Sequence, residues 1–364
     1  MLFFYYLCSM ITDKLTSEQV NGVRRLLDAA HDIVILTHMS PDGDAMGSSH
    51  GLMHWLRAQG KECHVITPNS APDFLLWLPA ANETLCYDQN AATATEMIAR
   101  ADLLICTDFN EPKRIGILGD KLLESPAPKI VIDHHLIPAS ASTDYAAVLM
   151  SYPDSPSASE LVYRLIVQLG GTLNLEAATC LYTGMMTDTG NFSFNSNYPE
   201  MYEIVGNLVA LGVDKDAVYD HIFNCWSAER IKLVGYCLYR KMRIFPERHV
   251  ALIYLSGKEL YRFYFKSGDA EGIVNMPLQI KDVYYSVFMR EDKVADHELA
   301  LSGGSKTKIK ISMRSQGDRP VNIFCHEVFN GGGHKNASGG EYYGSLPDAV
   351  KLFLDNYEKY LLKN

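Results

Sequence analysis

Aspartate and histidine recur in this chain at four places where a short apolar run stops. The segment THMSPDGDA carries His38, Asp42 and Asp44, CTDF carries Asp108, and IDHH carries Asp133, His134 and His135. A fourth segment, MMTDTGNF, places Asp188 at the end of a Met-rich stretch of helical spacing. A set of imidazoles and carboxylates without thiolate favours Mn²⁺ or a similar ion over structural zinc. Two imidazoles and several carboxylates suffice for two ions. Two ions about 3.5–4 Å apart can activate a bridging hydroxide and neutralise a phosphoryl group under in-line attack. Gly43 lets the chain turn tightly between Asp42 and Asp44, aiming both carboxylates at one region. Asp188, set beside apolar turns, needs a cationic partner if it is to be buried.

Each of these segments has an ordinary reading when taken alone. Asp42-Gly43-Asp44 is a surface turn, Asp108 a helix cap, Asp188 a C-terminal turn residue, and one histidine of the pair a hydrogen-bonding group. Their joint position is what argues for chemistry. Asp32–His38, Glu62–Pro68, Ala101–Phe109 and Lys129–His135 are nearly continuous apolar runs, the pattern of parallel strands buried on both faces. Ala45–Gln59 lies between the first two with helical spacing, and Gly60 follows it as a stop. Strands alternating with helices predict a doubly wound α/β sheet, whose ligands bind beyond the carboxyl ends of the strands. Three strand ends then bring their acidic segments to one edge.

A second group lies further on. Gly331-Gly332-Gly333-His334 opens a glycine-rich loop that runs to Gly340. Glycines let backbone amides approach an anion closely, and His334 adds a donor. Upstream, alternation in KTKIKISMRS predicts that Lys306, Lys308, Lys310, Ser312 and Arg314 share a strand face. Arg314 suits a bidentate phosphate contact. The bland alternative is a flexible loop beside a solvated strand. No G-x-x-x-x-G-K-[ST] occurs, which excludes a P-loop ATPase.

The rest of the chain supplies the framework. Pro156–Leu169 reads as a helix with Ser157 and Glu160 at capping-box spacing, and Asn174–Thr187 as a second helix. Tyr198–Tyr239 reads as further helix. From Arg248 onward the signal is strand-like, and the tail from Leu346 to Leu362 is helical. The predicted organisation is an N-terminal extension (1–14), a mainly parallel α/β domain (15–215), a helical linker (216–245) and a smaller α/β domain (246–364). Residues 1–10 form an apolar run too short to span a bilayer, so no membrane partner is expected, and Met10 is a candidate start. The 364 residues are 47% hydrophobic and 21% charged, an ordinary soluble balance. A net charge of −10 argues against coating long duplex nucleic acid but not against a short anionic substrate in one basic pocket. Eight scattered cysteines with no C-x-x-C suit a reducing cytoplasm.

The ordered series His38-x-x-x-Asp42-x-Asp44, Asp108, Asp133-His134-His135, Asp188 and Gly331–Gly340 resembles the DHH phosphoesterases, in the two-domain layout of their nanoRNase and pAp phosphatase subfamily. The resemblance runs from about residue 15 to residue 345. It implies that His38, Asp42 and Asp108 hold one divalent cation, and that Asp44, Asp108, His134 and Asp188 hold a second, with Asp108 shared. The ions would be Mn²⁺, with Mg²⁺ or Co²⁺ as alternatives. It further implies that His135 meets the substrate phosphate and that Asp133 orients a histidine from behind. Arg314, Ser315, Gly332, Gly333 and His334 would bind the far phosphate or 3′ end. The implied reaction is attack of a hydroxide activated by the two ions on a short oligonucleotide, on pApA, or on pAp. A cyclic-dinucleotide phosphodiesterase, a manganese pyrophosphatase and an inactive nucleotide sensor are the competing readings. The resemblance leaves a homodimer open.

Overall fold

The computed structural model describes residues 14–138, 141–266, 268–294, 305 and 307–361. The expected N-terminal extension, apart from Lys14, and Lys306 lie outside them. The chain divides into two compact units that meet between Cys225 and Trp226.

The first unit is built on a six-stranded, wholly parallel sheet. Helix α1 (Ser17–Ala29) leads into β1 (Asp32–Leu36), then α2 (Gly43–Ala58), β2 (Glu62–Thr67), β3 (Leu85–Cys86) and α3 (Tyr87–Arg100). The chain continues through β4 (Leu103–Thr107), α4 (Leu118–Glu124), β5 (Lys129–Asp133) and β6 (Val148–Ser151). The strand order 3-2-1-4-5-6 is doubly wound, as expected, with its switch point beside β1 and β4. Successive residues of the central strands feed opposite faces. Ile33, Ile35, Ile105 and Ile132 join one hydrophobic core, while Val34, Leu36, Leu104 and Val131 join another. Continuous apolar sequence is therefore what these strands need.

Two helices complete the acidic edge after β6, α5 (Ala158–Gln168) and α6 (Leu175–Asp188), and α7 (Pro199–Ala210) follows them. A further helix, α8 (Lys215–Phe223), buries Val218 and Ile222 in the same core. Helices α2 and α6 are in backbone contact. Gly43, Gly47 and Gly51 lie four residues apart and so share one face of α2. A β-carbon on Gly47 would sit 2.7 Å from the Gly184 nitrogen, and one on Gly43 would sit 2.3 Å from Thr187 Oγ1. The two helices run antiparallel, and the last residues of α6 meet the first turn of α2.

The second unit carries α9 (Ala228–Tyr236), a π-helical turn at Cys237–Lys241, and strands β7 (Arg243–Phe245) and β8 (Val250–Leu255). It continues through α10 (Gly257–Arg262), β9 (Tyr285–Lys293), β10 (Thr307–Ser315) and α11 (Asn322–Phe329). It closes with β11 (Gly332–His334), β12 (Ala337–Tyr343) and α12 (Leu346–Leu361). Its sheet has the order β11-β12-β10-β9-β8-β7 and is antiparallel except between β8 and β9. One expectation is corrected here: Gly331–Gly340 is largely a hairpin of β11 and β12, not a loop. Its glycines permit close backbone pairing. A β-carbon on Gly331 would meet the Gly339 carbonyl oxygen at a distance no side chain tolerates. No helix among the described residues is long and apolar enough to cross a membrane.

Candidate metal centre

Beyond β1 the chain delivers Thr37 and His38, then turns through Ser40 in the left-handed region (φ 57°). Asp42 caps α2, its Oδ1 accepting from the amides of Asp44 and Ala45 at 3.0 Å each. Asp44 thus falls in the first turn of α2 and is buried. There its carboxylate also accepts from the amides of Ala158 and Ser159 at 2.6 and 2.9 Å. These are the open N–H groups at the start of α5, a natural seat for a carboxylate.

Asp108 follows β4 with φ 65°, a conformation that costs a residue with a β-carbon about 1 kcal/mol or more. Its amide still donates to Ile132 O at 2.9 Å, so the chain bends while remaining paired to β5. Burial is nearly complete. His38 Nε2 lies 3.3 Å from Asp108 Oδ2 and 3.8 Å from Asp42 Oδ2. His134 Nε2 lies 3.2 Å from Asp108 Oδ1, 3.2 Å from Asp188 Oδ2 and 3.5 Å from Asp44 Oδ2. Asp108 is therefore flanked by two imidazoles, one on each oxygen. The ligand atoms of His38, Asp42 and Asp108, and those of Asp44, Asp108 and His134, lie within 4.8 Å of one another in each group.

The two histidines at this centre are oriented alike. His38 Nδ1 meets Met39 O at 3.0 Å and His134 Nδ1 meets Ser155 O at 3.1 Å. A carbonyl accepts from N–H, so each ring is protonated at Nδ1 and turns Nε2 to the carboxylates. His135 is turned the other way, its Nδ1 2.8 Å from Asp133 Oδ1.

The charges do not balance among the protein groups alone. Burial pushes Asp44 up to about 7, and the charge of Asp108 adds to that. Burial also raises Asp133 to about 6 and holds Asp188 well above the carboxylate range. Asp108 moves the other way: burial opposes its charge, but hydrogen bonds from His134 and His38 outweigh it. Burial likewise opposes a charge on His38, yet Asp108 and Asp42 push it up to about 10. Burial and the nearby Arg114 keep His135 neutral. A cluster that draws protons onto buried carboxylates and imidazoles is short of positive charge. Asp108 Oδ1, moreover, is buried and receives no hydrogen bond of good geometry. The donor set therefore fits divalent cations, which displace such protons on binding.

Several contributors were not singled out from the sequence. Asn110 Nδ2 donates to Asp133 Oδ2 at 2.6 Å and to His135 O at 3.0 Å, holding the Asp133–His135 pair from behind. Ser157 caps α5 as expected, but Glu160 does not reach back to complete a capping box. Its carboxylate instead accepts from Ser155 Oγ and pairs with Arg164 at 2.6 Å, all three buried beneath His134. Gly184 lies against Ser159 and 2.8 Å from Asp44 Oδ1, measured from a β-carbon in its place. The four-residue spacing of Gly43, Gly47 and Gly51 was the available signal for that packing.

In the second unit, Arg314 and His334 flank Ala337 on neighbouring strands. Ser315 Oγ donates to Arg319 O at 2.5 Å and accepts from Asn336 Nδ2 at 2.9 Å. Gly333 pairs with Ser338 at φ 137°, a conformation reserved for glycine. Arg314, Ser315, Gly332, Gly333 and His334 are thus gathered at one end of this sheet. Two expected cations on the same strand have acidic partners, Lys310 with Asp292 at 3.6 Å and Lys308 with Glu341 at 3.4 Å.

Residues 32–185 match the model of the DHH family, N-terminal domain. The chain is 28% identical over 341 residues to a Thermus thermophilus protein named bifunctional oligoribonuclease and PAP phosphatase NrnA, covering 93% of each. It is 44% identical to an exopolyphosphatase-related protein from Bacteroides fragilis of known crystal structure, covering 96% of this chain and 98% of that one, with a TM-score of 0.85. A structure of Thermus thermophilus RecJ in complex with Mn²⁺ shares the fold at 15% identity, covering 96% of this chain and 55% of that one, with a TM-score of 0.52.

Proposed function

Because the chain belongs to the DHH family and is a hydrolase of phosphoester bonds, we propose that it hydrolyses short oligoribonucleotides such as pApA to mononucleotides and removes a phosphate from pAp. The observation that carries this reading is the placement of Asp108 between His38 and His134, with Asp42 on one side and Asp44 and Asp188 on the other. We assign His38, Asp42 and Asp108 to one divalent cation and Asp44, Asp108, His134 and Asp188 to a second. Mn²⁺ suits this donor set best. When bound, such a pair supplies charge neutralisation for phosphoryl oxygens and makes water acidic enough to act as a nucleophile near neutral pH.

The protein groups do the positioning. Met39 O and Ser155 O lock both ligand histidines in the tautomer that offers Nε2. The amides of Ala158 and Ser159 hold Asp44 still. We assign His135 to the substrate phosphate and the leaving oxygen. With Nδ1–H on Asp133, a proton arriving at Nε2 makes an imidazolium that Asp133 stabilises. Asn110 fixes that pair by bonding both members. Arg314, Ser315 and Gly332–His334 are assigned to a phosphate of the substrate remote from the bond that breaks, where the arginine fork suits two phosphate oxygens.

The test is hydrolysis of pAp, pApA, a short RNA ladder and c-di-AMP, each with Mn²⁺ and with EDTA, for the wild type and Asp108→Ala. The reading expects Mn²⁺-dependent mononucleotide release from pApA and short RNA, abolished by EDTA and by the substitution. Turnover confined to c-di-AMP would replace it with a cyclic-dinucleotide phosphodiesterase. No turnover with Mn²⁺ shown to be bound would overturn it.

A further inference from the structure

Charge in this acidic protein is unevenly spread. Between residues 236 and 266 there are seven Lys and Arg against two Glu, interleaved with eight aromatic residues. Nothing in the proposed reaction uses this stretch. It belongs to the second unit, where α9 with its π-helical turn and α10 with the turn after it pack on a common core of Leu233, Cys237, Ile253 and Leu260. The two segments are stitched side by side. Tyr236 Oη donates to Glu259 at 2.6 Å, Lys241 pairs with the same carboxylate at 2.8 Å, and the rings of Tyr236 and Phe263 stand 5.1 Å apart. Glu259 is thereby turned inward, toward its own lysine and tyrosine.

What faces solvent is aromatic and cationic. Tyr239 and Tyr261 are each 85% exposed and Tyr264 is 75% exposed. Arg240 and Arg262 beside them are exposed as well. Three large rings left in water on two segments that pack side by side are unusual for a folded chain. Strand β7 lies at one edge of this sheet and β11 at the other, with four strands between them. Tyr239 lies in the π-helical turn that leads into β7, and Tyr261 and Tyr264 lie in and just after α10, which follows β8, whereas Arg314 and Gly332–His334 belong to β10 and β11. It is a separate site.

We propose that Tyr239, Arg240, Tyr261, Arg262 and Tyr264 form a binding surface for single-stranded RNA, with bases stacked on the tyrosines and phosphates met by the arginines. Stacking accepts any base, and guanidinium groups track the backbone, so the surface holds a strand without reading its sequence. A second copy of this chain is the poorer occupant, because a twofold contact would set the same arginines against each other. A lipid surface is poorer too, since insertion is driven by apolar side chains and here Leu260 is turned into the core.

The experiment measures binding of full-length protein to a 5′-labelled oligo(A) about twelve nucleotides long by fluorescence polarisation, in EDTA to prevent cleavage. The combined change Tyr239→Ala, Tyr261→Ala, Tyr264→Ala should weaken binding by about tenfold for each ring lost. The corresponding triple change to Phe should retain binding. Arg240→Ala with Arg262→Ala should make the salt dependence shallower by about 0.7 in log–log slope per arginine. Hydrolysis of pApA with Mn²⁺ should stay at the wild-type rate in all three variants, which also shows that they fold. Wild-type binding that is undetectable, or binding unchanged by the alanine variant, would overturn the proposal. So would binding of phosphatidylserine vesicles lost in that variant while RNA binding persists.

Discussion

The polar end of the first sheet and the polar end of the second are built on different terms. At the first, Asp44, Asp108, Asp133 and both members of the His134–His135 pair are buried, and Asp108 is held in a left-handed conformation. Every ring and carboxylate there is fixed by backbone groups or by a buried neighbour. At the second, Arg314 is half-buried and one of its amino groups rests on its own strand, donating to Met313 O at 3.0 Å. Its neighbouring lysines meet exposed or half-exposed carboxylates. The first region concentrates like charge that only a cation relieves, so its geometry must be imposed by the fold. On the proposed reading the second would meet an anion that brings its own charge, for which surface-grade positioning suffices. The prediction is that substitutions in the first region act on the reaction step and those in the second act on substrate affinity.

The largest effect is expected at the shared carboxylate. Asp108→Asn should lower turnover of pApA by about a thousandfold or more, since it weakens both cation positions and the charge stabilisation they supply. Steady-state kinetics at saturating substrate checks this; a change confined to KM would break the division between the two regions. Next comes Gly184→Ala. Its β-carbon would press on Ser159 and on the Asp44 carboxylate, so the protein should lose about 2 kcal/mol of stability by overpacking. Chemical denaturation reads that loss, and Mn²⁺ affinity should fall with it. Asn110→Ala leaves Asp133 and His135 without their common donor. It should cost about 10- to 100-fold in kcat, the usual scale for a group supporting a metal-site residue, with KM little changed.

The pH dependence tests the charge imbalance directly. His38 sits at about 10 in the folded chain, against about 6.5 when unfolded. Its contribution to stability is complete below the lower value and is lost as pH rises toward the upper one. In EDTA, stability should therefore fall between pH 7 and 9, by about 1 kcal/mol or more per pH unit. His134, raised for the same reason, acts in the same direction. Cations bind the deprotonated ligands, so the rise in melting temperature on adding Mn²⁺ should grow over the same range. A chelated protein equally stable at both pH values would contradict the account. The smallest effect is expected from Arg314→Ala, which should raise KM for pApA by about tenfold, the scale of one charge-assisted contact, and leave kcat nearly intact.

Much of the first region was legible in the sequence. Strands β1, β2, β4 and β5 need continuous apolar residues, and the residues that follow them at the sheet edge are polar for a reason visible in one dimension. Strand β6 (Val148–Ser151) is not legible, because four residues at an edge, three half-buried and only Met150 buried, leave no period to count. The hairpin of β11 and β12 carries the sequence signature of a loop, because glycine pairing is a backbone matter with no side-chain pattern. The left-handed turn at Asp108 is likewise invisible, since it depends on β5 alongside. Glu160 shows the limit of motif reading. Its spacing from Ser157 fits a capping box, but the buried Arg164 and Ser155 claim the carboxylate first.

The most direct measurement is the stoichiometry of Mn²⁺ binding to the wild type and to Asp108→Ala by equilibrium dialysis at neutral pH. The account predicts two ions per chain in the wild type, and loss of both tight sites in the variant, because one carboxylate serves both. A single ion in the wild type, or two ions held equally well without Asp108, would contradict it.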